Sequence, residues 1–441
     1  MGRRTAAVGV AGPASSIRSL LARQPALRRF IAAVLPSYAN QWVLRVAQDW
    51  LVLQLTDGSG LAIGLTTALQ FAPSVGGSLW GGALADRLPK IRILIAAELC
   101  TAVVALALGL LTAFHLVNEW HVYLTALAVG VSAGLATPAR QTFVADLVPG
   151  RHIGQAVSLV STAFAIGRIL GPAGYGILAS WGGTPLACFA CAAGAVLVGV
   201  SFARLPRIVP ARADPVSGRT TGWSEGVRYV CRRADIVVML VVLVPLCALG
   251  WNSQVTIALM ARNVFGEAAS GFAVLGTMFA IGSVVGTVVV ARWKRPSVTA
   301  VLRSGVVFAV MSVVAGWCPT SRWFGAALVA LGASALVVAT LSSVTFQLAA
   351  PGHLRGRVVA VYLLVTSAAT GAGAPLLGWI GQTWGPRWTY GTCGIAVSAA
   401  AMVGIALVAV LRRLGLTIGA QDADGVGPGQ LAAARSDDVT T

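Results

Sequence analysis

Arg45 and Asp49 stand four positions apart inside one long apolar run, and Arg168 interrupts another. On a helix that spacing puts an acid and a base on one face, where they can pair. Such a carboxylate can also carry a proton, with a nearby guanidinium or a charged solute competing for it, and direct competition of that kind makes exchange obligatory. The bland alternative is a permanent ion pair that only orients helices. At a helical rise of 1.5 Å per residue, Arg45 counted from Phe30 and Arg168 counted from Ile153 both lie roughly 22 Å into their runs. Glu98 lies about two turns into a third run, close enough to its charged end to meet Arg92 or another loop arginine, and reads as structural.

The runs that must position these groups are long. With 57% hydrophobic and 10% charged residues over 441 positions, the chain lacks the polar surface that soluble domains need. Twelve apolar spans are long enough for a hydrocarbon core of about 30 Å. They lie near 30–55, 61–84, 91–114, 121–146, 153–180, 184–204, 236–260, 270–292, 298–317, 323–348, 356–380 and 388–411. The spans lack the alternating pattern of barrel strands, so helices must satisfy the backbone internally. The expected fold is an all-α integral membrane protein.

The longest interruption, 205–235, holds Pro206, Pro210, Pro215 and an Arg-rich stretch, and it divides the spans six and six. It reads as a cytoplasmic linker between a bundle at 29–204 and a second at 236–411, with tails at 1–28 and 412–441. Within the linker, Trp223, Val227 and Val230 share one helical face, with Ser224 as the cap of a short surface helix. Thr142-Phe143, Pro172 and Trp181-Gly182 recur 203 positions later as Thr345-Phe346, Pro375 and Trp384-Gly385, as duplicated halves require.

A net charge of +18 raises nucleic acid as a partner, and the placement of that charge argues against it. Nearly all the basic residues fall in alternate loops and the tails. Arg262, Arg322 and Arg387 are the exceptions in the opposite loops. The basic side is cytoplasmic by the positive-inside rule, so both termini are expected inside. Lysine occurs only at 90 and 294, and this Arg bias with abundant Ala and Gly suggests a high-GC bacterial genome and a cytoplasmic membrane. Met1-Gly2-Arg3-Arg4 is followed by no apolar core and reads as neither a twin-arginine nor a myristoylation signal.

The scattered cysteines and the histidines at span ends form no ligand cluster, and no phosphate loop or Ser/His/Asp grouping stands out. An enzyme is therefore not expected, nor is a bound cofactor or metal.

Several further motifs carry a resemblance. Gly82-Ala83-Leu84-Ala85-Asp86-Arg87, between spans 2 and 3, resembles the hallmark loop of the major facilitator superfamily, with Pro89 where a Gly is expected. Gly167, Gly171, Pro172 and Gly176 in span 5 are similar to the kink signature of drug-exporting members, with Tyr175 replacing a Gly. Ala47 to Leu53, Ala68 to Pro73, Pro138 to Gln141 and Arg355 to Val358 resemble an actinobacterial branch similar to enterobactin and macrolide exporters.

The resemblance implies two pseudo-symmetric six-helix bundles, alternating access, and energy from the proton gradient. It makes Gly82, Asp86 and Arg87 a latch meeting Arg355 and Arg357 at the start of span 11. Arg140 and Asp146, closing span 4 at the inner face, join that set as gate residues. It also makes spans 1 and 5 neighbours, so that Asp49 can sit between Arg45 and Arg168.

The expected function is a proton-coupled antiporter exporting a small amphiphile such as a drug, siderophore or other secondary metabolite, acting as a monomer in lipid. Two arginines against one acid at mid-membrane favour neutral or anionic solutes, and Trp42, Gln70, Trp251, Asn252 and Gln254 are candidate cavity residues. A proton-coupled nutrient importer, or a non-transporting protein on the same fold, is the alternative.

Overall fold

A computed structural model describes residues 20–149, 152–205, 223–291, 297–349 and 355–413. Within these, the side chains at 74–87, 223–227, 234–235, 291, 347–349, 355–357, 359–360, 363 and 411–412 lie outside the description. The described residues form helices and no strands. In chain order these are α1 (Pro25–Leu55), α2 (Gly60–Arg87), α3 (Lys90–Ala113), α4 (Glu119–Asp146) and α5 (Ile153–Ala203). The linker helix is α6 (Trp223–Arg232). Then come α7 (Ala234–Pro245), a π-turn (Leu246–Gly250), α8 (Ser253–Leu259) and a second π-turn (Met260–Val264). The chain closes with α9 (Ala269–Ala291), α10 (Val298–Gly316), α11 (Ser321–Ala349), α12 (Arg355–Thr383) and α13 (Pro386–Arg413).

The 51 residues of α5 exceed what a bilayer admits as one span, and the helix breaks at Gly182 and Gly183, where φ of Gly183 is 69°. Tyr175 Oη lies 3.0 Å from Thr184 Oγ1. Nine residues of straight helix would separate them by about 13 Å, so the chain doubles back and α5 is two spans. With 234–264 counted as one interrupted span, the described chain makes twelve helical passages.

Lipid, not water, faces the outside of these helices. On α3, Leu99, Val103, Leu106 and Leu110 are exposed at helical spacing, while Leu94, Ala97, Thr101, Ala105 and Leu108 are buried. An amphipathic soluble helix would show polar residues on the first face; here both faces are apolar. Exposed Trp120, Trp181, Trp317, Trp323, Trp384 and Trp388 cluster at helix ends that alternate along the chain with the Arg-rich loops. Indole rings favour that interfacial depth. Arg387, on the Trp-rich side, is satisfied by the end of α10, donating to the carbonyls of Gly316 (3.1 Å) and Cys318 (3.0 Å).

The described residues form two compact units. The first comprises Met1–Asp57, Leu69–Asp214 and Ala269–Val274, and the second Gly58–Ala68, Pro215–Ala268 and Leu275–Thr441. In the first unit Phe30 contacts Phe143 and Phe202, with ring centroids at 5.1 and 6.0 Å, inside a core that includes Leu94, Val144 and Val198. In the second unit Gly60 and Gly64 press against the backbone of α12 at Gly378 and Ala374, so the start of α2 belongs there.

The Gly-rich stretch of α5 is a packing device. A Cβ on Gly167 would stand 2.6 Å from the Cβ of Tyr38, and one on Gly171 2.2 Å from that of Trp42. Gly176 meets Ala273 in the same way at 2.5 Å. These small residues let α5 ride directly on α1, and the backbone stays helical through Pro172. Gly171→Ala is therefore expected to destabilise the protein by about 1–3 kcal/mol through overpacking. Gly154→Ala, with nothing within 4 Å, should leave stability unchanged or slightly raised. Unfolding midpoints of the two purified variants in detergent check this, and equal midpoints would refute the packing role.

Candidate functional site

The polar groups expected in span 1 sit in the interior of the first unit. Asp49 is 1% exposed, Gln48 is fully buried, and Gln70 reaches both from α2. Gln70 Nε2 donates to Gln48 Oε1 at 3.1 Å and to Asp49 Oδ1 at 3.2 Å. Gln48 Nε2 in turn donates to Thr125 Oγ1 of α4 at 3.2 Å. Both N–H groups of Gln70 are thus used, and its carbonyl points away from the carboxylate.

Arg45 does not form a hydrogen-bonded pair with Asp49. Its guanidinium lies over the rings of Phe71 (4.3 Å) and Trp42 (5.3 Å), and its Nε has no hydrogen-bond partner among the described residues. Arg168, from α5, lies over the other approach to Trp42 at 5.7 Å. Trp42 is thus shared by two cations, and desolvated cation–π contacts of this kind are each worth about 2 kcal/mol. Asp49 feels Arg45 through the field across one helical turn and is held directly by a neutral amide. It can gain a proton without first breaking a hydrogen-bonded ion pair.

A second charged group, deeper than expected, joins α1, α3 and α4. Arg140 is 1% exposed, and its Nη2 donates to Glu98 Oε1 at 3.1 Å and to Ser37 Oγ at 2.6 Å. Ser37 Oγ donates to the same Glu98 oxygen, closing a three-membered ring of contacts. The guanidinium stacks on Tyr38 at 4.5 Å. The sequence placed Arg140 near water beside Asp146, but six helical residues separate the two by about 9 Å along the axis. Glu98 meets this arginine, while Arg92 is exposed. A lone acid in span 3 and a lone base in span 4 were the only sequence signal for the pair.

Asp146 is the last residue of α4, where Lys90 Nζ contacts its Oδ2 at 2.6 Å. This ion pair is partly exposed and joins the start of α3 to the end of α4. The side chains of Gly82, Asp86, Arg87, Arg355 and Arg357 lie outside the described residues, so the remainder of the latch expectation falls there. Trp42 and Gln70, proposed as cavity residues, stand in the Asp49 cluster. Trp251, Asn252 and Gln254 fall in the second unit, the first two at the interruption between the first π-turn and α8 and Gln254 in the first turn of α8.

Known proteins share this architecture. The family model of the Major Facilitator Superfamily matches residues 30–374. The chain is 26% identical over 379 residues to the multidrug efflux pump Tap of Mycolicibacterium fortuitum, covering 81% of this chain and 90% of that protein. It is 24% identical over 259 residues to the staphyloferrin A transporter of Staphylococcus aureus, covering 58% and 64%. Among solved structures, an inward-facing, occupied bacterial homologue of the human lysosomal transporter Spinster matches with TM-score 0.70 at 15% identity, over 88% of this chain and 97% of that one. The nucleoside transporter NupG matches with TM-score 0.70 at 12% identity, over 87% and 99%. These structural likenesses show the fold.

Proposed function

The chain belongs to the major facilitator superfamily, and from that premise we propose that it is a proton-coupled antiporter exporting a small amphiphile from a bacterial cell. The observation that carries the coupling is Asp49: a buried carboxylate inside α1, held by the Gln70 amide and not locked to a guanidinium. Burying an ionised acid in a bilayer is expensive, so its charge is tied to what approaches it. Protonation removes that charge, and a change of conformation then carries the neutral group to the other side. The proton gradient supplies the energy, with no bound cofactor.

Export is supported by the likeness to a multidrug efflux pump, and a siderophore cargo by the likeness to a staphyloferrin A transporter. Arg45 and Arg168, held on Trp42, bias the site towards neutral or anionic solutes, among them siderophores and other secondary metabolites. The Arg-rich loops support a cytoplasmic location for both termini, and the presence of the whole cluster in one chain supports a monomer.

The test is growth of an efflux-deficient host expressing the full chain or an empty vector, against a panel of macrolides, tetracyclines and siderophore conjugates, with membrane expression matched. Protection against at least one class is expected. Increased sensitivity, reporting uptake, would reverse the direction, and no change across the panel would contradict export of these solutes.

A further inference from the structure

The Trp-rich side of the second unit carries a groove that the coupling chemistry does not use. Its volume is about 760 Å³, and it is lined by Glu267, Thr320, Ser321, Arg322, Trp323 and Ala326. Local backbone geometry brings these residues together. Past the second π-turn, Phe265 N donates to Met260 O at 3.1 Å, and Gly266 turns the chain with φ 63°. Glu267 N then donates back to Ala261 O at 2.8 Å, which sets Glu267 beside the start of α11. The ring of Phe265 packs on buried Phe324 with centroids 5.4 Å apart, and Phe324 N donates to Thr320 O at 3.0 Å. The loop and the first turn of α11 are thus held on each other.

Charges of both signs line this groove and stay apart. Among the described residues neither Glu267 nor Arg322 makes an ion pair, with the other or with a third group. A ligand of one charge would leave one of them unmatched, whereas a zwitterion satisfies both. The guanidinium of Arg322 offers the fork of donors that suits a phosphate, and the carboxylate of Glu267 accepts from a primary ammonium. The rim is placed for a lipid. Trp323 is 67% exposed, at the interfacial depth that indole rings favour. One turn deeper, Ala326 adjoins the seam between α11 and α9. A Cβ on Gly325 would stand 3.5 Å from Leu275 and 3.8 Å from Met278, so the two helices are neighbours there. Met278 and Ile281 expose apolar side chains along that seam. The charged groove therefore runs into an apolar surface long enough to seat acyl chains.

We propose that this groove binds the head group of a membrane phospholipid that carries a phosphate and a primary ammonium, as phosphatidylethanolamine does, with its acyl chains along α9 and α11. The phosphate lies on Arg322, the ammonium donates to Glu267, and Trp323 packs beside the glycerol. The site is built wholly within the second unit, whereas Asp49 belongs to the first. It does not depend on what the protein transports or in which direction.

The test uses the delipidated full-length protein in detergent, with bound lipid counted by native mass spectrometry. The probes are dioleoyl phosphatidylethanolamine, its choline counterpart, whose ammonium has no N–H, and its glycerol counterpart, which has no ammonium. Wild type should bind the ethanolamine lipid about tenfold more tightly than either of the others. Glu267→Leu should lose that preference, and Arg322→Gln should weaken binding of all three lipids by a similar factor. Neither side chain is buried, so the unliganded midpoints of both variants should match wild type. The preference is a ratio read within one preparation, so a less stable variant still reports it. Equal binding of the three lipids by wild type overturns the assignment, as does an ethanolamine preference that survives in Glu267→Leu. Arg322→Gln binding every lipid as wild type does would overturn the phosphate contact. Glycerophosphoethanolamine, which lacks acyl chains, should fail to displace the lipid at equal concentration; displacement would overturn a lipid as the occupant in favour of a soluble zwitterion.

Discussion

Arg140→Leu is expected to destabilise the protein by about 3–5 kcal/mol, the penalty for leaving one member of a buried ion pair without its counterion. Glu98 would keep its Ser37 hydrogen bond without the guanidinium, in a site where the Arg140 and Glu98 side chains are 2% and 1% exposed. The same reasoning makes the effect reversible: Arg140→Leu combined with Glu98→Gln should recover most of the stability, since a neutral amide can still accept from Ser37. Denaturant titration of the purified single and double variants reads the difference. A double variant no more stable than Arg140→Leu alone would mean that Arg140 acts through packing on Tyr38 and not through its charge.

Asp49→Asn should have the largest effect on function with little on the fold. Asn retains the Oδ1 that accepts from Gln70, so the midpoint is expected to move by less than about 1 kcal/mol. The side chain can no longer exchange a proton. One proton moved down a unit pH difference is worth about 1.4 kcal/mol, or a tenfold solute ratio, and the variant should support no ratio beyond unity. Radiolabelled solute accumulation in inverted vesicles with an imposed pH difference measures this directly. Retention of a tenfold ratio by Asp49→Asn would move coupling to another group.

The membrane fold was legible because length and apolar content leave few options, and counting helical rise put Asp49 and Arg168 inside their runs. The partner of Arg45 was not. Position i to i+4 suggested Asp49, but helical side chains lean towards their N-terminus, which carries this guanidinium back to Trp42 and across to Phe71. An acid–base pair also favours the acid on the N-terminal side, the reverse of the order here. Glu98 and Arg140 meet from separate helices, and neither local spacing nor composition says which faces of two spans will touch. The interruption at Asn252 was hidden for a related reason. It is enforced by Gly373, far along the chain, and by a side-chain amide that substitutes for a backbone donor.

Proton movement in proteoliposomes containing the purified full-length chain and a pH-sensitive dye in the lumen tests the central claim most directly. With a solute identified by the growth panel supplied as a gradient, the expected result is proton flux opposite in direction to the solute, abolished by Asp49→Asn. Solute movement with no change in lumenal pH, or with protons moving in the same direction, would contradict antiport.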